Sequence, residues 1–169
     1  MANGGVGFKV GIKLDMDKID LRLKELGPAI VRGSFMHGFN KVGKFWRELI
    51  QSKLPVGTEG DYDGGDLRDS IISRAGVNKN PVTAKGKVAG RVTVRPNARK
   101  QRSDGKAKSW TPAEYAPAVE FGLKSRDYPS QPVWRPVFDS TSEQAQQMFA
   151  QTVEDHLDEA VAKVRSQIK

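Results

Sequence analysis

An α+β fold follows from three features of this 169-residue chain. One long apolar stripe at three-and-four spacing lies in the N-terminal half, a second lies at the C-terminal end, and short stretches of alternation sit at the start and between them. The expected architecture is an antiparallel β-sheet packed by a long helix of the N-terminal half, with a C-terminal helix, in one domain over 1–169.

Residues 1–5 are small and glycine-rich and are expected to be flexible. Val6, Phe8, Val10, Ile12 and Leu14 then alternate with Gly and Lys or Asp, which predicts a half-buried strand. Ile19, Leu23 and Leu26 predict a short helix over 17–26, closed by Gly27-Pro28. From Pro28 to Lys53 the positions Val31, Phe35, Gly38, Phe39, Val42, Phe45, Trp46, Leu49 and Ile50 keep helical spacing. Pro28 suits its first turn and Pro55 stops it. Gly33, Gly38 and Gly43 recur every five residues, which helical period does not align, and they read as weak spots or close contacts. The stretch 56–66 is a turn-rich acidic loop, 67–74 reads as an interrupted strand, and the alternation of Val88, Gly90, Val92 and Val94 predicts a strand over 87–95. Residues 96–111 lack an apolar period and read as a solvated basic loop.

The stretch 113–139 organises the rest. It holds Tyr115, Phe121, Tyr128, Trp134 and Phe138 together with Pro117, Pro129, Pro132 and Pro136, the composition of a rigid, packed connector. Pro117 suits the first position of a helical turn over 117–121 that Gly122 ends, although alternation of Tyr115, Pro117, Val119 and Phe121 also fits an extended path. Gln131-Pro132 and Arg135-Pro136 bias the chain to an extended entry into a last helix over 140–167. That helix has a capping-box signature at Ser140 and Glu143 and an apolar face of Ala145, Met148, Phe149, Thr152, Val153, His156, Leu157, Ala160, Val164 and Ile168.

Composition narrows the function classes. Absence of cysteine removes disulfides and thiolate metal sites. No 18-residue apolar run is present, and the N-terminus lacks the apolar core of an export signal. Net charge is +8. Between Ala75 and Trp110, Lys79, Lys85, Lys87, Arg91, Arg95, Arg99, Lys100, Arg102, Lys106 and Lys108 face only Asp104, so the charge is concentrated there. Arg95, Arg99, Lys100, Arg102, Lys106 and Lys108 are therefore candidate DNA or partner contacts, against the alternative of a loop that only keeps the protein soluble. Trp110 is the sole aromatic in that segment, which gives little support to single-strand stacking.

Other constellations favour structural roles. His37 and His156 have no second ligand at i+3 or i+4, so packed or surface histidines are favoured over a metal site. Glu59, Asp61, Asp63, Asp66 and Asp69 fail the calcium-loop template at Gly65 and Ile72 and read as a solvated acidic turn. Glu120, between Val119 and Phe121, requires a basic partner or backbone N–H donors if it is buried. No nucleophile elbow, HExxH or second carboxylate accompanies it, so no catalytic residue, cofactor site or metal site is expected.

Tyr115-Ala116-Pro117, Val119-Glu120-Phe121-Gly122 and Gln131-Pro132-Val133-Trp134-Arg135-Pro136-Val137-Phe138 resemble the "YAxxVEFG … QPFxRPA" blocks of the gene-product-ten-like tail-completion (minor tail or neck) proteins of lambdoid long-tailed bacteriophages. Pro55-Val56 and the stretch 65–71 resemble a further "PVxTGxLRxSI" block, with an apparent insertion between Thr58 and Gly65 that prevents carrying over the loop geometry. The resemblance implies a non-enzymatic virion protein at the head–tail junction, made in the host cytoplasm and acting by assembly. Its implied partners are copies of itself in a ring, commonly six-fold, a head-completion or connector protein, the tail terminator, the tail tube and DNA in the channel, with no cofactor and no membrane. It assigns family-motif packing roles to Tyr115, Glu120, Phe121, Gly122, Pro132, Trp134 and Pro136. The composition leaves a rival reading open: a basic protein that grips duplex phosphates through 75–110.

Overall fold

The computed structural model describes residues 26, 28–55, 66–82, 88–97, 111–122 and 129–167. The expected strand over 6–14, the helix over 17–26 apart from the buried Leu26, residues 56–65 of the acidic loop expected over 56–66 and residues 98–110 of the basic loop expected over 96–111 lie outside the described residues, whereas Asp66 opens a helix and Pro96 ends a strand.

The element order is α1 (Pro28–Lys53), α2 (Asp66–Ser70), β1 (Ile71–Val82), β2 (Val88–Pro96), α3 (Pro112–Phe121) and α4 (Trp134–Gln167). β1 and β2 pair as a two-stranded antiparallel sheet. The fold is α+β with a long N-terminal-half helix and a C-terminal helix. The chain divides into two compact units, one comprising 1–8, 45–73 and 93–141, the other 9–44, 74–92 and 142–169. Both long helices and both strands contribute residues to each unit.

α1 has the predicted bounds because its stripe is unbroken: Val31, Phe35, Phe39, Val42, Trp46, Ile50 and Leu54 are all buried. Phe45 and Leu49 border that stripe and are half-buried. The Leu54 amide closes the last bond on the Ile50 carbonyl at 3.0 Å, and Pro55 follows.

In the unit holding 9–44, 74–92 and 142–169, three phenylalanines form the centre. Phe149 of α4 lies 6.1 Å from Phe35 and 4.5 Å from Phe39, centroid to centroid. Gly38 permits this approach, since a Cβ there would meet Phe149 at 2.9 Å and Val153 at 3.0 Å. Gly90 of β2 permits another: a Cβ would collide with the Phe39 ring and lie 3.1 Å from the Gly76 carbonyl. Val77, Val92, Val153 and Leu157 complete this core. On the helical face expected for α4, Val164 is instead 38% exposed, and Ile168 lies outside the described residues.

In the other unit the centre is Trp46, buried and set edge-on to Phe138 at 4.9 Å, with its indole N–H donating to Thr141 Oγ1 at 3.1 Å. Trp134, Val137, Val94, Ile71, Leu67, Ala116 and Val119 are buried in the same unit.

Four local expectations are corrected. The expected strand over 67–74 begins only at Ile71, because Asp66–Ser70 form a helical turn, stitched by Ser70 Oγ donating to the Leu67 carbonyl at 2.7 Å. Beyond Arg74, β1 continues to Val82 despite Gly76, Asn78 and Pro81. The helix expected to begin at Pro117 begins at Pro112: Thr111 is its N-cap, and Pro117 lies inside it. The helix expected from Ser140 begins at Trp134, so Arg135-Pro136 is helical and not extended; Ser140 Oγ donates to the Pro136 carbonyl at 2.7 Å and caps nothing.

Candidate functional site

The two resembling blocks within 115–122 and 131–138 meet at the junction of α3 and α4. α3 starts at Thr111 with extended backbone, φ −71° and ψ 157°. The Glu114 carboxylate accepts from the Thr111 amide at 2.6 Å and from its hydroxyl at 3.0 Å. Both bonds favour the charged form and hold the Glu114 carboxyl below its ordinary value of 4.5. Pro112 occupies the first turn, where its missing N–H costs nothing. Pro117 leaves the Ala113 carbonyl without an i+4 donor. Gly122 ends the helix at φ 76° and ψ 171°, a conformation that disfavours any side chain, and its amide donates to the Ala118 carbonyl at 2.8 Å.

The chain returns so that the Gln131 amide donates to the Val119 carbonyl at 2.7 Å. One residue on, Glu120 does the larger work. Its Oε2 accepts from the amides of Val133 at 2.6 Å and Trp134 at 3.0 Å, and its Oε1 accepts from Arg135 at 3.1 Å. Every α-helix begins with four N–H positions that lack intrahelical acceptors. Here one carboxylate satisfies the first three, and the fourth position is Pro136, which has no N–H. The first intrahelical bond then runs from the Val137 amide to the Val133 carbonyl at 3.2 Å. A negative group at this end also complements the helix dipole. Thus the 34-residue α4 is capped by a side chain 13 residues upstream of its N-cap residue Val133.

Burial around this joint is divided. Ala116, Val119, Glu120, Val133, Trp134, Val137 and Phe138 are buried. Phe121, expected as a packing residue, is 60% exposed. Turning Val119 and Glu120 inward on a helix sends the next residue about 100° around it, off the buried stripe. Pro132 and Pro136, also expected to pack, are exposed, as are Pro129, Gln131 and Arg135. Tyr115 belongs to α3, and its side chain is outside the described residues.

Of the basic candidates, Arg95 is half-buried on β2, next to the buried Val94 and Pro96. Arg99, Lys100, Arg102, Lys106 and Lys108 lie outside the described residues. Arg74 and Arg91 are exposed on β1 and β2, strands that contain no acidic residue. The Arg91 side chain passes over Gly76, with Cγ and Nε each 3.8 Å from where a Cβ would stand. Asp69 of the acidic stretch pairs at 3.8 Å with its neighbour Arg68, both exposed.

One proximity was not legible in the sequence. His37 and His156, 119 positions apart, bring their rings to 5.2 Å. Among the described residues no group of three or more His, Cys, Asp or Glu side chains is placed to hold a metal. No helix among them is long and apolar enough to cross a membrane. Comparison of the chain with models of known families, with curated proteins and with solved structures finds no match in any of the three.

Proposed function

We propose that this chain is a non-enzymatic structural protein of a long-tailed phage virion, placed at the head–tail junction as a tail-completion or neck component. It assembles into a ring around the DNA channel and joins connector to tail tube. The observation that carries the reading is the Glu120 joint. The "VEFG" and "QPxxRP" blocks, remote enough in sequence to look like separate motifs, are two halves of one hydrogen-bonded device. A shared joint accounts for why both blocks occur together in one chain.

The joint also supports an assembly role physically. A buried carboxylate and buried Trp134 fix the backbone, while Phe121, Pro129, Pro132 and Pro136 remain exposed beside it. Rigid apolar side chains on a fixed frame bind at little entropic cost, which suits contact with another subunit. Electron microscopy of virions labelled with gold-conjugated antibody to the C-terminal residues tests the placement. Label at the junction of head and tail is expected; virions devoid of label, with the protein confined to the soluble lysate, would overturn it.

A second reading, duplex binding through 75–110, is favoured by one observation: the acid-free strands carry Arg91 exposed within that stretch and Arg74 exposed immediately before it. It expects a monomer whose duplex affinity falls steeply with salt. A ring with shallow salt dependence excludes it.

A further inference from the structure

The geometry points to a two-histidine site for a divalent transition metal, formed by His37 of α1 and His156 of α4 within one compact unit. The proposal is independent of the virion reading.

Two observations converge on it. The ring centroids are 5.2 Å apart with a 33° angle between planes. Two imidazoles sharing one tetrahedral ion, at nitrogen–metal distances of about 2.0–2.1 Å, hold their centroids roughly 5 Å apart. The helices therefore already present the rings at the required separation.

The second observation is that Ser34 engages one nitrogen of His156, Nδ1, and leaves Nε2 for an ion. Ser34 is buried, and its hydroxyl lies 3.0 Å from the Ile30 carbonyl and 3.0 Å from His156 Nδ1. A carbonyl only accepts, so when the single hydroxyl proton goes to Ile30, Ser34 Oγ is left to accept from His156 Nδ1. In the tautomer in which His156 Nδ1 donates to Ser34 Oγ, the lone pair of the neutral ring resides on Nε2. An imidazole that donates through one nitrogen to a fixed acceptor and offers the other is the arrangement that orients a metal ligand. His37 is exposed and His156 half-buried, so an ion has access from solvent.

Imidazole selects zinc, nickel and copper over magnesium or calcium. With two protein ligands, the remaining positions go to water, which makes the site exchangeable and its effect a clamp between α1 and α4.

The test uses the untagged full chain, in which these are the only two histidines. Isothermal titration with zinc, and with copper followed by its electron paramagnetic resonance spectrum, is compared for wild type, His37→Gln, His156→Gln and Ser34→Ala, after circular dichroism shows each is folded. Expected are one saturable equivalent, nitrogen hyperfine structure, a raised melting temperature, loss of binding in both histidine variants, and a weakening of about 10–100-fold in Ser34→Ala. Absence of saturable binding, or its retention in either folded histidine variant, would overturn the site. If His156→Gln does not fold, His37→Gln at the exposed position decides alone.

Discussion

Replacing Glu120 by alanine removes the acceptor of three backbone N–H groups at once. The bonds to Val133 and Trp134 are buried, and the bond to Arg135 is partly so. Each buried N–H left without a partner costs about 1–3 kcal/mol, and the Arg135 amide regains part of its bond from water. Loss of the charge at the start of α4 adds roughly 0.3–1 kcal/mol. The sum for Glu120→Ala is about 2–7 kcal/mol, a large share of the roughly 5–15 kcal/mol typical of a folded domain. Glu120→Gln is the finer probe. Its carbonyl oxygen can replace Oε2 for Val133 and Trp134, but its amide nitrogen then faces the Arg135 N–H, donor to donor. The expected cost is intermediate, about 1.5–3 kcal/mol. Urea unfolding read by tryptophan fluorescence and circular dichroism gives both values by linear extrapolation. Hydrogen exchange at 133–135 should accelerate in the same order. An alanine variant within about 0.5 kcal/mol of wild type at an unchanged m-value, the range of an ordinary surface change, would refute the capping account.

Trp134→Ala should cost about 3–5 kcal/mol, whereas Phe121→Ala, at a 60% exposed position, should stay within about 0.5 kcal/mol; equal melting temperatures for the two variants would contradict the division of burial at the joint. Gly90→Ala drives a methyl into Phe39 and towards the Gly76 carbonyl, so a loss of about 1–3 kcal/mol or more is expected in thermal unfolding, and wild-type melting would show that the ring yields freely. Glu114, whose folded-state carboxyl is held low by Thr111, stabilises the folded protein above the ordinary value of 4.5, and that contribution is lost as pH falls through the lowered folded value. The stability difference between wild type and Glu114→Gln should therefore be present near neutrality and vanish in strong acid; a difference independent of pH would assign it to something other than the carboxylate.

The parts of the fold that were legible had local signals. α1 was readable to the residue because Pro28, an unbroken stripe and Pro55 all act within the helix or beside it. The start of α3 is also written locally, in the Thr111–Glu114 capping box with Pro112 in the first turn, but Pro117 offered a competing start in the sequence. The start of α4 had no local signal. Its cap is Glu120, brought back from α3, while the local Ser140–Glu143 pattern spelled a cap that the chain does not use. β1 was cut short because Gly76, Asn78 and Pro81 break its alternation, and pairing with β2 supplies what the pattern lacks. At the candidate site, the need of Glu120 for donors followed from its apolar neighbours; which donors did not, because they lie beyond a connection. Phe121 was misplaced because alternation and helical spacing assign it opposite faces. The histidine pair had no sequence signature, since only the packing of α1 against α4 within their unit brings the rings together.

Ring assembly is the claim on which the functional account rests, and the mass of the intact assembly tests it most directly. Native mass spectrometry of the purified full chain, across a concentration series and with purified tail tubes added, is expected to give one closed species with a single copy number, alone or on the tubes. A monomer at every concentration that also fails to join the tubes would contradict the account.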